Sequence, residues 1–146
     1  MKPPRIAVRA VIVEQARLLM VNAWAGGISD LLCAPGGGVE THQSLPDNLI
    51  REVHEETGLT IEVGDVCLVN EFHDGPRDFH QIEIFFRARI TAGRTDPEWM
   101  DPEGVVTTRK WLTRSELERA HVKPAALVQV AFDGGVHYDP LETIVH

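Results

Sequence analysis

Hydrophobic and polar positions change period along this chain, and the changes mark its elements. Ile6 to Val13 is β-branched and mostly apolar, and Arg17 to Asn22 follows a short turn, which predicts two opening strands. Trp24 to Asp30 carries Gly26-Gly27 and reads as a loop over a sheet. The period then becomes helical. Leu45, Leu49, Ile50 and Val53 form an apolar stripe, with Arg51, Glu52, Glu55 and Glu56 roughly opposite. Ser44 reads as the N-cap, with Asp47 three residues on as a capping-box variant, and Gly58 as the stop. Ile61 to Val69 reads as strand, and alternation is clearest over Phe79 to Thr91. There His80, Ile82, Ile84, Phe86, Ala88 and Ile90 share one face, and Gln81, Glu83, Phe85, Arg87 and Arg89 the other. Asp74 to Asp78 has the turn chemistry to make these two a hairpin. Beyond an acidic loop, Ala92 to Gly104, the pattern predicts a strand around Lys110-Trp111-Leu112. Helices follow from about Ser115 and from about Pro124 to Phe132. Strands mixed with a central and a terminal helix predict a layered α/β architecture.

The polar face of the central helix carries the chemistry. Glu52 and Glu56 stand at i and i+4, and Glu55 on the same stripe, so three carboxylates converge and repel unless a cation joins them. A charge-rich helix face alone is usually just solvated. Here it follows Pro35-Gly36-Gly37-Gly38, read as a glycine-rich turn, and keeps a long fixed spacing from Gly37 through Arg51, Glu52, Val53, Glu55 and Glu56 to Gly58 and Leu59. That combination arises by chance at roughly 10⁻⁸ per starting point. Mg²⁺ suits such a site, being a hard ion that takes carboxylate oxygens and keeps room for waters and substrate phosphates.

Gly37 to Leu59 resembles the signature of the Nudix hydrolases, G-x5-E-x7-R-E-U-x-E-E-x-G-U with U aliphatic. One position departs: Gln43 stands where the signature has its first glutamate. A looser likeness extends through Pro35-Gly36, Trp111-Leu112 and Glu116-Leu117. The resemblance implies an α/β/α sandwich with a mixed β-sheet and a catalytic loop-helix-loop. It implies Mg²⁺- or Mn²⁺-dependent hydrolysis of a nucleoside diphosphate linked to another moiety. It also implies Glu52, Glu55 and Glu56 as metal ligands joined by the backbone carbonyl of Gly36, with Arg51 orienting the glutamates. The general base is left open between Glu52 and a later carboxylate, for which the chain offers Glu83, Glu98, Asp101 and Glu103.

Size and charge narrow the rest. A chain of 146 residues is expected to form one domain, residues 1–146, that buries about two thirds of its unfolded surface. A net charge of −8 argues against polymeric nucleic acid but not against a small phosphorylated substrate, because bound cations can invert the local sign. Cys33 and Cys67 lack metal-ligand spacing and read as small packed residues in a reducing compartment. No membrane span or signal peptide is read, so the expected location is cytoplasmic; a homodimer is left open. Arg9, Arg77 and Arg87 are candidate phosphate contacts, and Phe79, with Trp24, Phe72 and Phe85, a candidate base-stacking residue. Pro76 lies near a position that the resemblance associates with ADP-ribose, although a turn proline explains it equally well. The alternative function is a non-hydrolytic ligand-binding or sensor domain, supported only by Gln43.

Overall fold

The computed structural model describes residues 1–146. Its centre is a mixed five-stranded sheet in the order β5-β1-β7-β6-β9, formed by Gly36–Gly38, Arg5–Val11, Phe79–Ala92, Thr60–Asp74 and His137–Thr143. β1 runs parallel to β7 and antiparallel to β5, β6 and β7 form the antiparallel hairpin, and β9 runs parallel to β6. A smaller antiparallel sheet is built on β3 (Arg17–Asn22). β2 (Val13–Glu14) and β4 (Leu32–Cys33) pair with its two ends, and β8 (Arg109–Thr113) runs along its length.

The alternation along the strands sends side chains into two apolar layers, one on each face of the central sheet. Phe85 and Phe86, adjacent on β7, separate into different layers. Phe86 joins Val8, Ala10, Ile12 and Ile61 beneath helix α1 (Leu45–Thr57), which contributes Leu49 and Val53. Phe85 joins Leu18, Met20 and Leu68 beneath the short helices α2 (Arg114–Glu118) and α3 (Leu127–Asp133), through Leu117, Leu127 and Val130. Leu49 and Val53 are fully buried, and each such side chain contributes about 1.5–3 kcal/mol through removal from water. A mixed sheet between helical layers is the expected sandwich.

Helix α1 has the caps its sequence predicts. Ser44 Oγ accepts the Asp47 N–H at 3.1 Å, Pro46 occupies the first turn, where no N–H is needed, and Gly58 takes the left-handed conformation (φ 78°) that closes the last turn. Three expectations change. Gly36–Gly38 is a strand, not a turn, because its pairing uses only main chain and comes from β1. β6 continues as strand to Asp74, well past Val69. The strand β9 has no counterpart in the reading from sequence, since Pro140 and two acidic residues disguise it. It is tolerated because β9 is an edge strand, where a missing N–H costs no ladder bond. Helix α3 also starts at Leu127, three residues after Pro124.

No helix is long and apolar enough to cross a membrane.

At Gly36 an added Cβ would land on the Val8 carbonyl of the neighbouring strand. We expect Gly36→Ala to cost about 3 kcal/mol or more of unfolding free energy in urea titration, because β5 must part from β1. Gly75→Ala, where nothing lies within 4 Å, should stay within about 0.5 kcal/mol.

Candidate active site

The site forms where helix α1 lies over the glycine strand. A Cβ on Gly37 would fall 2.5 Å from Glu52 Oε2, so the absence of side chains on β5 is what lets the carboxylate sit there. Glu52 is therefore buried against β5, not on an outer helix face as the pattern suggested. Burial raises its pKa, with Arg51 pulling the other way. Glu56 also turns inward, its Oε1 accepting the Gly36 N–H at 2.9 Å. Burial pushes its carboxyl up to about 8, against the pull of Arg9 and the Gly36 amide.

Arg51 braces this arrangement. Its Nη1 lies 3.1 Å from Glu52 Oε1 and 3.5 Å from Glu55 Oε1, and its Nη2 donates to Asn48 Oδ1 at 3.1 Å and lies 3.7 Å from Glu40 Oε1. The buried Asn48 amide locks the preceding loop: it accepts the Glu40 N–H and donates to the carbonyls of Gln43 and Ser44. Gln43 is exposed and enters only through its carbonyl; its side chain makes no hydrogen bond. Glu40 supplies the carboxylate facing Arg51 that Gln43 does not.

The acidic loop after β7 contributes the next group. Trp99 Nε1 donates to the Glu55 carbonyl at 2.8 Å and its ring covers Gly58, while Arg109 Nε donates to the Glu56 carbonyl at 2.7 Å. Asp101 is buried and accepts the N–H groups of Glu103, Val105 and Val106, which shapes the loop. Glu103 is thereby placed so that one carboxylate oxygen each from Glu52, Glu55 and Glu103 lie within 4.8 Å of one another. Three convergent carboxylates, of which Arg51 meets only Glu52 and Glu55, suit a hard divalent ion. The trio differs from the expected Glu52-Glu55-Glu56 set in having Glu103, while Glu56 lines the same cavity.

The four later carboxylates now separate. Glu83 is buried, its Oε2 taking Arg9 Nε at 2.8 Å and Gln81 Nε2 at 3.0 Å. Asp101 is consumed by backbone, and Glu98 is exposed in the loop. Glu103 alone stands beside Glu52 and Glu55. No local pattern distinguishes it, because its position depends on how Asp101 and Trp99 fold a loop without regular structure.

Two cavities meet here. The acidic one, about 250 Å³, includes Glu52, Glu56, Glu103 and the three glycines of β5. The other, about 230 Å³, has Trp24, Phe72 and Phe79 in its wall, with Asn70 and Glu83. Arg5, Arg9, Ala23 and Cys33 line both. Arg9 and Phe79 thus stand where a substrate contact would, whereas Arg77 is outside, exposed at the hairpin tip and 3.6 Å from Asp74. Phe85 belongs to the core. Cys33 is not simply packed: it faces both cavities, with burial pushing its thiol up to about 12 despite Arg9.

Residues 3–130 match the NUDIX domain family. An ADP-ribose pyrophosphatase of Methanocaldococcus jannaschii is 28% identical over 90 residues, covering 62% of this chain and 53% of that protein. The human nucleoside diphosphate-linked moiety X motif 6 protein is 29% identical over 82 residues, 56% of this chain and 23% of its own length. The chain thus spans about half or less of these curated relatives. Among solved structures, a NUDIX hydrolase from Nitrosomonas europaea superposes with a TM-score of 0.76 at 20% identity, covering 94% of this chain and 93% of that one. A UDP-X diphosphatase superposes with a TM-score of 0.70 at 21% identity, covering 97% of this chain and 68% of that one. At that identity the likeness shows the fold, and the match over residues 3–130 shows the lineage: this chain belongs to the NUDIX domain family.

Proposed function

We propose that the protein is a pyrophosphohydrolase that cleaves a nucleoside diphosphate linked to another moiety, using Mg²⁺ or Mn²⁺. The observation that carries this reading is the convergence of the Glu52, Glu55 and Glu103 carboxylates at an acidic cavity that shares Arg5, Arg9, Ala23 and Cys33 with an aromatic one. Family membership and relatives named as ADP-ribose pyrophosphatase and nucleoside diphosphate-linked moiety X motif 6 support it. The substrate class is a small phosphorylated molecule whose base occupies the aromatic cavity and whose diphosphate reaches the acidic one.

Glu52 and Glu55 would hold the ion, with Glu56, Glu103 and the main chain of Gly36 beside them. When bound, the divalent ion neutralises phosphate charge and acidifies water. The residues' own part is positional. Arg51 keeps Glu52 and Glu55 directed toward the cavity, and the Gly36 N–H fixes the Glu56 carboxylate. In hydrolysis a water oxygen adds to phosphorus, the anhydride P–O bond breaks, and the water's proton passes to a carboxylate. We assign that acceptor role to Glu103, the exposed member of the trio, since Glu83 and Asp101 are already engaged. The sensor alternative rested on Gln43, whose side chain makes no contact at the site.

A phosphate-release screen over nucleoside diphosphate derivatives with Mg²⁺ and Mn²⁺ tests the function; no turnover of any of them removes it. In that assay Glu52→Gln and Glu56→Gln should each lower turnover about a hundredfold or more, a few kcal/mol of transition-state stabilisation. Glu103→Gln should lower kcat about tenfold to a hundredfold and flatten the acidic limb of the pH–rate profile, whereas Glu98→Gln should leave both unchanged.

The stability of the metal-free protein supplies a third outcome. The folded Glu56 carboxyl titrates near 8, above its ordinary 4.5, so between these values the folded chain binds more protons than the unfolded one. Stability in chelator should therefore fall as pH rises from about 4.5 to 8, by on the order of a few kcal/mol. Glu56→Gln, which keeps an acceptor for the Gly36 N–H, should remove most of that slope in denaturant titrations. An unchanged slope would show that the carboxyl is not held in this environment.

A further inference from the structure

The two cavities meet at two arginines, and these differ in one respect that decides their roles. Arg9 is spent within the protein. Its Nε donates to Glu83 Oε2 at 2.8 Å and its Nη1 to the Ala34 carbonyl at 3.2 Å, and the side chain is mostly buried. Glu83 is held in turn by Gln81 and Asn70. In this network, which leaves only Asn70 Oδ1 buried without a partner, the guanidinium neutralises a buried carboxylate.

Arg5 is placed differently. It lines both cavities yet has no carboxylate within ion-pair distance, in a groove that holds Glu40, Glu52, Glu56 and Glu103. Its guanidinium lies on the face of Gly38, where a Cβ would collide with it, so the third glycine of β5 makes room for Arg5 as the second does for Glu52. A single protein bond, from Nη1 to Gln81 Oε1, anchors it. Nε and Nη2 donate to no protein group. An arginine laid flat, tethered at one nitrogen and open at the other two, presents the planar fork that suits a phosphate.

We propose that Arg5 is the residue that binds the substrate's diphosphate where it passes between the two cavities, and that Arg9 is a structural cation. This rests on the pyrophosphohydrolase reading for the identity of the substrate, but not for the contact itself. The ligand class is a nucleoside diphosphate, with its ring among Trp24, Phe72 and Phe79 and a phosphate against Arg5. Gln81 fixes the guanidinium from below, so Gln81 acts through Arg5 as a positioning residue.

The test is calorimetric binding of ADP, CDP, GDP and UDP in Mg²⁺, each beside its own nucleoside. For at least one base the wild type should bind the diphosphate at least tenfold more tightly than the nucleoside. Arg5→Gln should reduce that ratio to about threefold or less while leaving nucleoside affinity and Tm unchanged, and Arg5→Lys should retain part of it. A merely structural Arg5 would weaken nucleoside and diphosphate together or lower Tm, and would overturn the proposal. So would a ratio that survives Arg5→Gln, or a wild type with no preference for the diphosphate. The phosphate-release screen reports separately: a protein that shows the Arg5-dependent ratio but hydrolyses nothing would leave this assignment standing and remove the hydrolase reading.

Discussion

The rest of the site depends on the close seating of a helix on a strand without side chains. Gly36, Gly37 and Gly38 pair with β1 through main chain, and the space their missing Cβ atoms leave is filled by groups with functional roles: Glu52 at Gly37 and Arg5 at Gly38. At Gly36 the space is taken by the neighbouring strand itself, and its N–H meets Glu56. A side chain at Gly37 would displace the Glu52 carboxylate, one at Gly38 the Arg5 guanidinium, and one at Gly36 would part β5 from β1. The glycines cost backbone entropy, and the fold recovers it by packing Leu49 and Val53, next to the buried Glu52 on the same helix, into the core.

That seating creates an electrostatic debt within the apo protein. Glu52 and Glu56 are held where burial disfavours their charge, and Glu55 and Glu103 stand close by. Arg51 offsets part of it through contacts with Glu40, Glu52 and Glu55, and Asn48 holds Arg51 in turn. The Nε of Arg51 is nevertheless buried without a partner, so the brace is itself imperfectly satisfied. A site that stabilises its own carboxylates only in part is one that gains most from a cation, since each carboxylate then has an opposite charge within reach.

Much of this was legible in the sequence, for identifiable reasons. Helix α1 was readable because its caps and apolar spacing are local: Ser44, Leu49, Val53 and Gly58 each state their role within a few residues. The hairpin was readable because alternation and turn chemistry are local too. The burial of Glu52 was not, because it requires knowing that three glycines extended along β1 lie beneath it. Exposure is the ordinary fate of a strand glutamate, and at Glu83 the approach of Arg9 from the neighbouring strand accompanies burial. Strand β9 and the choice of Glu103 over Asp101 depend on contacts made far along the chain, and no short window contains them.

The division between the two cavities also separates chemistry from specificity. The acidic cavity is built from β5, α1 and a loop tied to α1 by Trp99 and Arg109, so its geometry is set by the helix that defines the family signature. The aromatic cavity draws on the β6–β7 hairpin through Phe72 and Phe79, on Trp24 before the small sheet, and on β9 and the residues after it. Those elements contribute none of the carboxylates of the acidic trio, and they join it through the shared Arg5, Arg9, Ala23 and Cys33. The relatives are named for different nucleoside diphosphate derivatives while sharing the fold, as expected when the reacting bond and the attached moiety are handled by independent parts of one scaffold. On the proposed reading, the bond to be broken is set by Glu52, Glu55 and their neighbours, and the molecule that carries it by Trp24, Phe72, Phe79 and the segment that follows β9.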